Sequence, residues 1–244
     1  MQQLLSPIRT ESLKDAFVKR LEALILSGAF PIGQKLPSER ELALQLNVSR
    51  PVVHEGLVDL AAKGLVSLIP RVGTVVNDYR REGSLSLLTS LLTYHRGDLK
   101  EELFTSLLEM RFLFEVETAR RAAGHRTVEQ LKDFGRLLQE EASVNHQNMQ
   151  RISELDFDFH HLIAMASGND IYPLLLNSFK SCYLNLACRF FSDATVVPEV
   201  FAFHEEMVTA LKAKDEEKAV EIMKNMLAHG MEHLKRSSKL KAQS

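Results

Sequence analysis

Residues 36–76 read LPSERELALQLNVSRPVVHEGLVDLAAKGLVSLIPRVGTVV. Ser38-x-x-Glu41 is a capping-box pattern, opening a short helix with Leu42 and Leu46 on its inner side. Asn47-Val48 turns the chain. Ser49 is a good N-cap for the next helix, and Pro51 is tolerated in its first turn. Val53, Leu57 and Leu60 form a buried stripe, and Gly64 ends it. The β-rich runs 65–69 and 74–76 flank Pro70-Arg71-Val72-Gly73, which predicts a hairpin. Upstream, Leu13, Phe17, Leu21, Leu24 and Ile25 recur at helical spacing until Gly28. Three short helices followed by a β-hairpin describe a winged helix-turn-helix.

Outward from this segment the punctuation changes. Of the seven prolines, five precede residue 80 and only Pro173 and Pro198 follow it. The polar run NDYRREGS at 77–84 separates two apolar regions. The predicted organisation is a winged helix over 8–78, a linker at 79–84 and an all-helical domain over 85–236. Helices are predicted near 84–95, 99–123, 127–145, 152–167, 170–191, 197–213 and 215–236. Thr127-x-x-Gln130 and Ser153-x-x-Asp156 mark two starts, and Gly124 and Gly168 two ends. The expected fold class is mainly α, the second domain an antiparallel bundle.

At 244 residues the chain has room for one large or two smaller domains. Hydrophobic residues make up 45% and charged residues 25%, which excludes wholesale disorder. No apolar run reaches the ~18 residues of a membrane span. MQQLLSPIRT lacks a basic segment followed by a long apolar one, so no signal peptide is expected. Cys182 and Cys188 fall on different faces of one predicted helix, so no internal disulfide is expected. Two cysteines cannot build a zinc ribbon either, and a reducing, cytoplasmic setting fits. The formal charge is -2, and residues 1–79 hold nine Lys/Arg against eight Asp/Glu. Any affinity for nucleic acid would therefore have to come from a local basic patch, not a basic domain.

Ser49-Arg50-Pro51 sits at a helix N-terminus, whose free N–H groups and partial positive charge suit phosphate. That end normally enters the major groove, where an arginine can pair bidentately with guanine. Arg40 is placed to grip phosphate, and Arg71 at the hairpin tip to reach backbone or minor groove. Similar caps and arginines also occur in three-helix domains that bind no DNA. In the second domain Asp156 and His160 are i and i+4, His204 opens another helix, and His229 and His233 are again i and i+4. Carboxylate plus imidazoles suits zinc, nickel or a similar divalent ion, although nine histidines also produce such pairs by chance. Arg111 lies in an apolar stretch and needs an anionic partner, either an effector carboxylate or a nearby glutamate. No nucleophile elbow, P-loop or dinucleotide fingerprint is present, so no enzyme is expected.

The features Leu36-Pro37-Ser38-Glu39-Arg40-Glu41-Leu42-Ala43, Val48-Ser49-Arg50-Pro51-Val52-Val53, Gly64-Leu65-Val66 and Arg71-x-Gly73-Thr74-x-Val76 resemble the winged helix of GntR-family bacterial transcription regulators. The resemblance covers nearly all of 12–77. It implies that Arg40, Ser49, Arg50 and Arg71 contact DNA, with Gly73 shaping the wing; Ser38, Pro51 and His54 complete the expected interface. Family members usually carry arginine where this chain has His54. A neutral histidine cannot replace a guanidinium at a bidentate contact. That predicts an altered operator preference, or DNA affinity that strengthens as pH falls.

Residues 85–235 resemble the all-helical effector domain of FadR-type members. The matching stretches are Arg111-x-x-x-Glu115, Glu154-Leu155-Asp156-x-x-Phe159-His160-x-x-Ile163 and Phe203-His204-x-x-Met207. The resemblance implies an aspartate and three histidines holding a divalent metal (zinc or nickel-like), which receives a small organic acid beside an arginine, here Arg111. Asp156, His160 and His204 match; the fourth position falls on Met226, and thioether is a poor zinc ligand. His229, about a turn further on, is the candidate substitute, with a three-ligand site or a metal-free pocket as alternatives. SGNDIYPLLLNSFKSCYLNLACRFF also resembles the fatty-acid-responsive branch, which binds acyl-CoA without metal. The expectation is a regulator controlled by a small carboxylate, with acyl-CoA as alternative effector. An enzyme fused to a winged helix is the third reading. A homodimer on a palindromic double-stranded operator follows from the short reach of one recognition helix, with the linker as transmission point.

Overall fold

The computed structural model describes residues 12–94 and 101–241; expected elements or boundaries that fall on 8–11 or 95–100 lie outside them. The chain forms two compact units, dividing between Arg96 and Gly97.

The first unit begins with α1 (Leu13–Leu26), α2 (Glu39–Leu46) and α3 (Arg50–Ala62). The capping box at Ser38 and Glu41 is formed in both directions, and Asn47 closes α2 in the left-handed region at φ 52°. Ser49 occupies the N-cap of α3, but its hydroxyl makes no capping bond. Strands β1 (Val66–Ile69) and β2 (Gly73–Val76) pair antiparallel, from Val66 opposite Val76 to Ile69 opposite Gly73. Phe17, Leu21, Val53, Leu57, Leu60 and Leu65 fill the core between helices and hairpin.

The expected linker is not a tether. Residues 79–82 form a one-turn helix, α4 (Tyr79–Glu82), and Tyr79 packs on the first core. Helix α5 (Leu85–Tyr94), expected to open the bundle, lies instead against α1, burying Leu87. A buried polar knot fixes it there. Lys63 and Ser90 both donate to Glu22 Oε1, Ser90 at 3.0 Å, and Lys63 also donates to Ser90 Oγ at 2.9 Å. Such contacts join residues far apart in sequence, so the polar run at 77–84 gave no sign of them. Gly64 makes the close approach possible. It holds φ +79°, and a Cβ there would lie 1.9 Å from the Glu82 carbonyl oxygen. Gly64→Ala combines left-handed strain with a backbone clash and is expected to destabilise the unit by roughly 2–4 kcal/mol, summing the two effects. Thermal unfolding checks this; an unchanged melting temperature would contradict the packing described.

The second unit comprises α6 (Glu101–His125), α7 (Val128–Ser143), α8 (Met149–Ala166), α9 (Ile171–Ser178), α10 (Lys180–Phe190), the 3-10 turn Ala194–Val196, α11 (Val197–Ala213) and α12 (Glu216–Lys241). Helix α8 is the axis. It packs against α6, α7, α9 and α10 and is buried nearly all round, as a central helix must be. The stripe Leu155, Phe159, Ile163 and Ala166 is core. The single helix predicted over 170–191 is two helices, broken at Phe179 (φ -100°, ψ 0°). Gly124 does not end α6, which continues to His125, whereas Gly168 turns the chain after α8 at φ +70°. No described helix is long and apolar enough to cross a membrane.

Candidate DNA-binding surface and buried polar site

The first unit brings most of its expected DNA contacts to one face. A groove of about 570 Å3 runs between the head of α3 and the wing, lined by Lys35, Ser38, Arg40, Arg50, His54 and Gly73 among others. Arg50 and His54 are i and i+4 on α3 and share a side of it. Ser49 and Pro51 are exposed at the same helix end. Arg71 stands at the wing tip, exposed and in the left-handed conformation at φ 64°. Gly73 at φ +116° lets the turn close beside Lys35, whose Cε would meet a Cβ at 3.1 Å. Ser38 spends its hydroxyl on Glu41 at 2.7 Å, so its first task is the cap. Lys35 was missed in the sequence. Its signal is positional, since the bridge from Lys35 to Val75 ties it to the wing. His54 does not stand alone: its Nδ1 lies 2.8 Å from Glu39 Oε1.

The second unit encloses a polar site in an apolar bundle. Asp156 and His160, one turn apart on α8, meet His204 from α11, and one ligand atom of each lies within 4.8 Å of the others. The two imidazoles are oriented alike. His204 Nδ1 is 2.7 Å from Glu141 Oε1, and His160 Nδ1 is in close contact with Glu115 Oε2. A carboxylate only accepts, so the His204 Nδ1 carries the proton and its Nε2 keeps its lone pair when the ring is neutral; the His160–Glu115 contact faces the same way but lacks hydrogen-bond geometry. Both Nε2 atoms turn to Asp156 Oδ1, at 3.7 Å from His204 and 4.0 Å from His160. His204 Nε2 is buried without a hydrogen-bond partner. The other oxygen of Asp156 accepts from the Tyr183 hydroxyl at 2.7 Å. Burial and the adjacent Asp156 push the Tyr183 phenol well above its usual range, so it stays a donor.

Arg111 lies beside this group and pairs with Glu115, Nε to Oε1 2.6 Å, with its guanidinium 4.4 Å over the Tyr183 ring. Of its two expected partners, the glutamate is therefore present. Burial works against both charges, but their mutual attraction prevails: Arg111 stays protonated, and Glu115 is lowered to about 2 by Arg111 and His160. A cavity of about 70 Å3 adjoins the group, lined by Arg111, Asp156, His160, Tyr183 and Met226. A larger cleft of about 550 Å3 lies beyond the Arg111–Tyr183 pair, walled by Leu107, Phe114, Leu175, Leu176 and Phe179.

His229 does not join the ligand group, contrary to the sequence expectation. Its Nδ1 is 3.4 Å from Glu199 Oε1, and its ring lies between Phe190 and Phe203. Helix phase explains this: α12 turns Met226 to the cavity, and three residues on the side chain has rotated by about 60°. His233 likewise faces away, 3.6 Å from Asp193. Glu141 and Tyr183 were not assigned to the site from sequence. The Cys182 thiol is raised to about 11 by burial, which leaves it unreactive.

Residues 13–76 match the family described as bacterial regulatory proteins, gntR family, and residues 106–229 match the FCD domain. The HTH-type transcriptional regulator Mce2R of Mycobacterium tuberculosis is 34% identical over 183 residues, 73% of each chain. The fatty acid metabolism regulator protein of Erwinia tasmaniensis is 28% identical over 85% of this chain and 87% of its own. Lar, which controls expression of the Listeria monocytogenes agr system, superposes with a TM-score of 0.64 at 16% identity, covering 94% and 99% of the two chains; at that identity it speaks for the fold alone.

Proposed function

We propose, from the premise that this chain belongs to the GntR family of bacterial regulatory proteins and carries its FCD domain, a transcription regulator whose operator affinity is set by a small carboxylic acid bound beside a divalent metal. Lys35, Arg40, Ser49, Arg50 and Arg71 meet the duplex. Asp156, His160 and His204 hold the ion. The protein works as a homodimer in the cytoplasm on a palindromic operator, because one recognition helix reads too few base pairs.

The observation that carries the metal reading is the orientation of the two imidazoles. When both rings are neutral, two lone pairs and a carboxylate oxygen converge in a buried space, an arrangement that repels itself unless a proton or a metal ion lies between. The charge balance agrees. Among the described residues, Asp156, Glu115 and Glu141 are buried beside the guanidinium of Arg111, leaving two negative charges that protonated imidazole or a metal ion would offset. A zinc- or nickel-like ion would supply compensating charge and a Lewis-acidic coordination position for an effector carboxylate. Glu115, Glu141 and Tyr183 fix the three ligand side chains, as outer partners of metal sites do. Arg111, already paired, offers its remaining N–H groups to the effector. Glu141→Gln is expected to weaken metal affinity by about 10–100-fold, read by competition with a chromophoric chelator; unchanged affinity would remove Glu141 from the site.

The 550 Å3 apolar cleft and the relative named as a fatty acid metabolism regulator favour a second reading, an acyl effector. Native mass spectrometry with metal analysis of the purified protein separates the two. Bound divalent metal with a small acid supports the first; an acyl thioester without metal supports the second and overturns the first.

A further inference from the structure

A carboxylate on a surface that meets DNA phosphate works against binding, yet Glu39 stands in the groove beside Arg40 and Arg50. An acid in the first turn of α2 suits the helix dipole wherever its side chain points. This one crosses to the other helix and accepts a hydrogen bond from His54 Nδ1 at 2.8 Å. His54 is otherwise open, with 60% of its side chain exposed, on the same side of α3 as Arg50. A carboxylate can only accept, so the Glu39 contact fixes the tautomer: Nδ1 carries hydrogen, and Nε2 of the neutral ring presents a lone pair outward.

We infer that His54, positioned by Glu39, is a specificity-determining acceptor that reads an exocyclic amine in the major groove. The inference rests on the DNA-facing assignment made above. The amines available there are adenine N6 and cytosine N4; guanine N7 and O6 and thymine O4 are acceptors and would face the Nε2 lone pair. Arg50, a donor one helical turn earlier, reads guanine or phosphate. The two residues thus impose opposite hydrogen-bond polarity on neighbouring base pairs. Glu39 acts through His54 as a positioning residue and touches no base.

The test begins by selecting high-affinity duplexes from a random pool with the full-length protein. In the selected site, adenine is replaced position by position with purine, and cytosine with its 4-deamino analogue, removing only the amine. Separately, guanine is replaced with 7-deazaguanine, removing only the N7 acceptor. The expected result is one position per half-site where loss of the amine weakens wild-type binding about tenfold, the usual worth of a good base contact. His54→Ala binds the amine-bearing and amine-free sites equally. Glu39→Gln, whose amide can accept or donate, frees the tautomer and reduces the discrimination. A merely structural Glu39 would instead weaken all sites alike. Both positions are on the surface, and circular dichroism confirms that the variants fold. If His54→Ala keeps every wild-type base preference, or if the His54-dependent loss follows 7-deazaguanine, the inference is overturned and the DNA surface stands. If Arg50→Ala also leaves all binding unchanged, the surface assignment falls, and this inference with it.

Discussion

Replacing both Arg50 and Arg71 with alanine is expected to lower operator affinity by about a hundredfold or more, at roughly tenfold per lost contact. The two arginines approach the duplex from separate elements, the head of α3 and the wing tip, and share no partner, so their losses should add. Each phosphate contact removed also flattens the dependence of log affinity on log salt by about one unit. Fluorescence anisotropy at several salt concentrations reads both effects. Both side chains are exposed, so the folded state should be unaffected. Full-strength, equally salt-sensitive binding by the double variant would show that the chain meets DNA elsewhere.

The second large effect concerns Asp156, the one oxygen ligand in the buried group. Asp156→Ala is expected to abolish stoichiometric metal binding, leaving a protein whose melting temperature no longer responds to chelator. In the wild type, an ion present at a thousand times its dissociation constant stabilises the fold by about 4 kcal/mol, so chelation should lower the melting temperature by several degrees. The response should depend on pH. Burial disfavours the charged His160 ring, but Glu115 more than offsets this, and the net direction is upward. The raised value means that a proton stabilises the metal-free protein below the ordinary histidine range and that this help is lost as pH rises through the folded value. Metal loading expels that proton and strengthens as pH rises. The gap in melting temperature between loaded and chelated protein should therefore widen with pH. Glu115 titrates the other way: its stabilisation is present above the ordinary carboxylate range and lost as pH falls toward about 2. A chelator-insensitive wild type would defeat the metal reading.

The winged helix was legible because its signals are local. Ser38 and Glu41 form their box within four residues, Gly64 marks the turn, and the wing is written between Ile69 and Gly73. The bundle was legible as helices, and Asp156 with His160 as a pair, since a single helix sets that spacing. What escaped depends on distance along the chain. Nothing at Phe179 announces a break, because neither glycine nor proline marks it. Glu141 reads as helix surface until α11 brings His204 to it. His229 was plausible by type and failed by phase, since only the packing of α12 decides that Met226 faces inward.

The buried knot of Glu22, Lys63 and Ser90 gives α5 a mechanical character. Pinned at once to α1 and to the end of α3, this helix cannot act as a slack string. It is a stiff handle, held to move with α1 and α3. Loosening the pin, as in Ser90→Ala, would turn handle back into string.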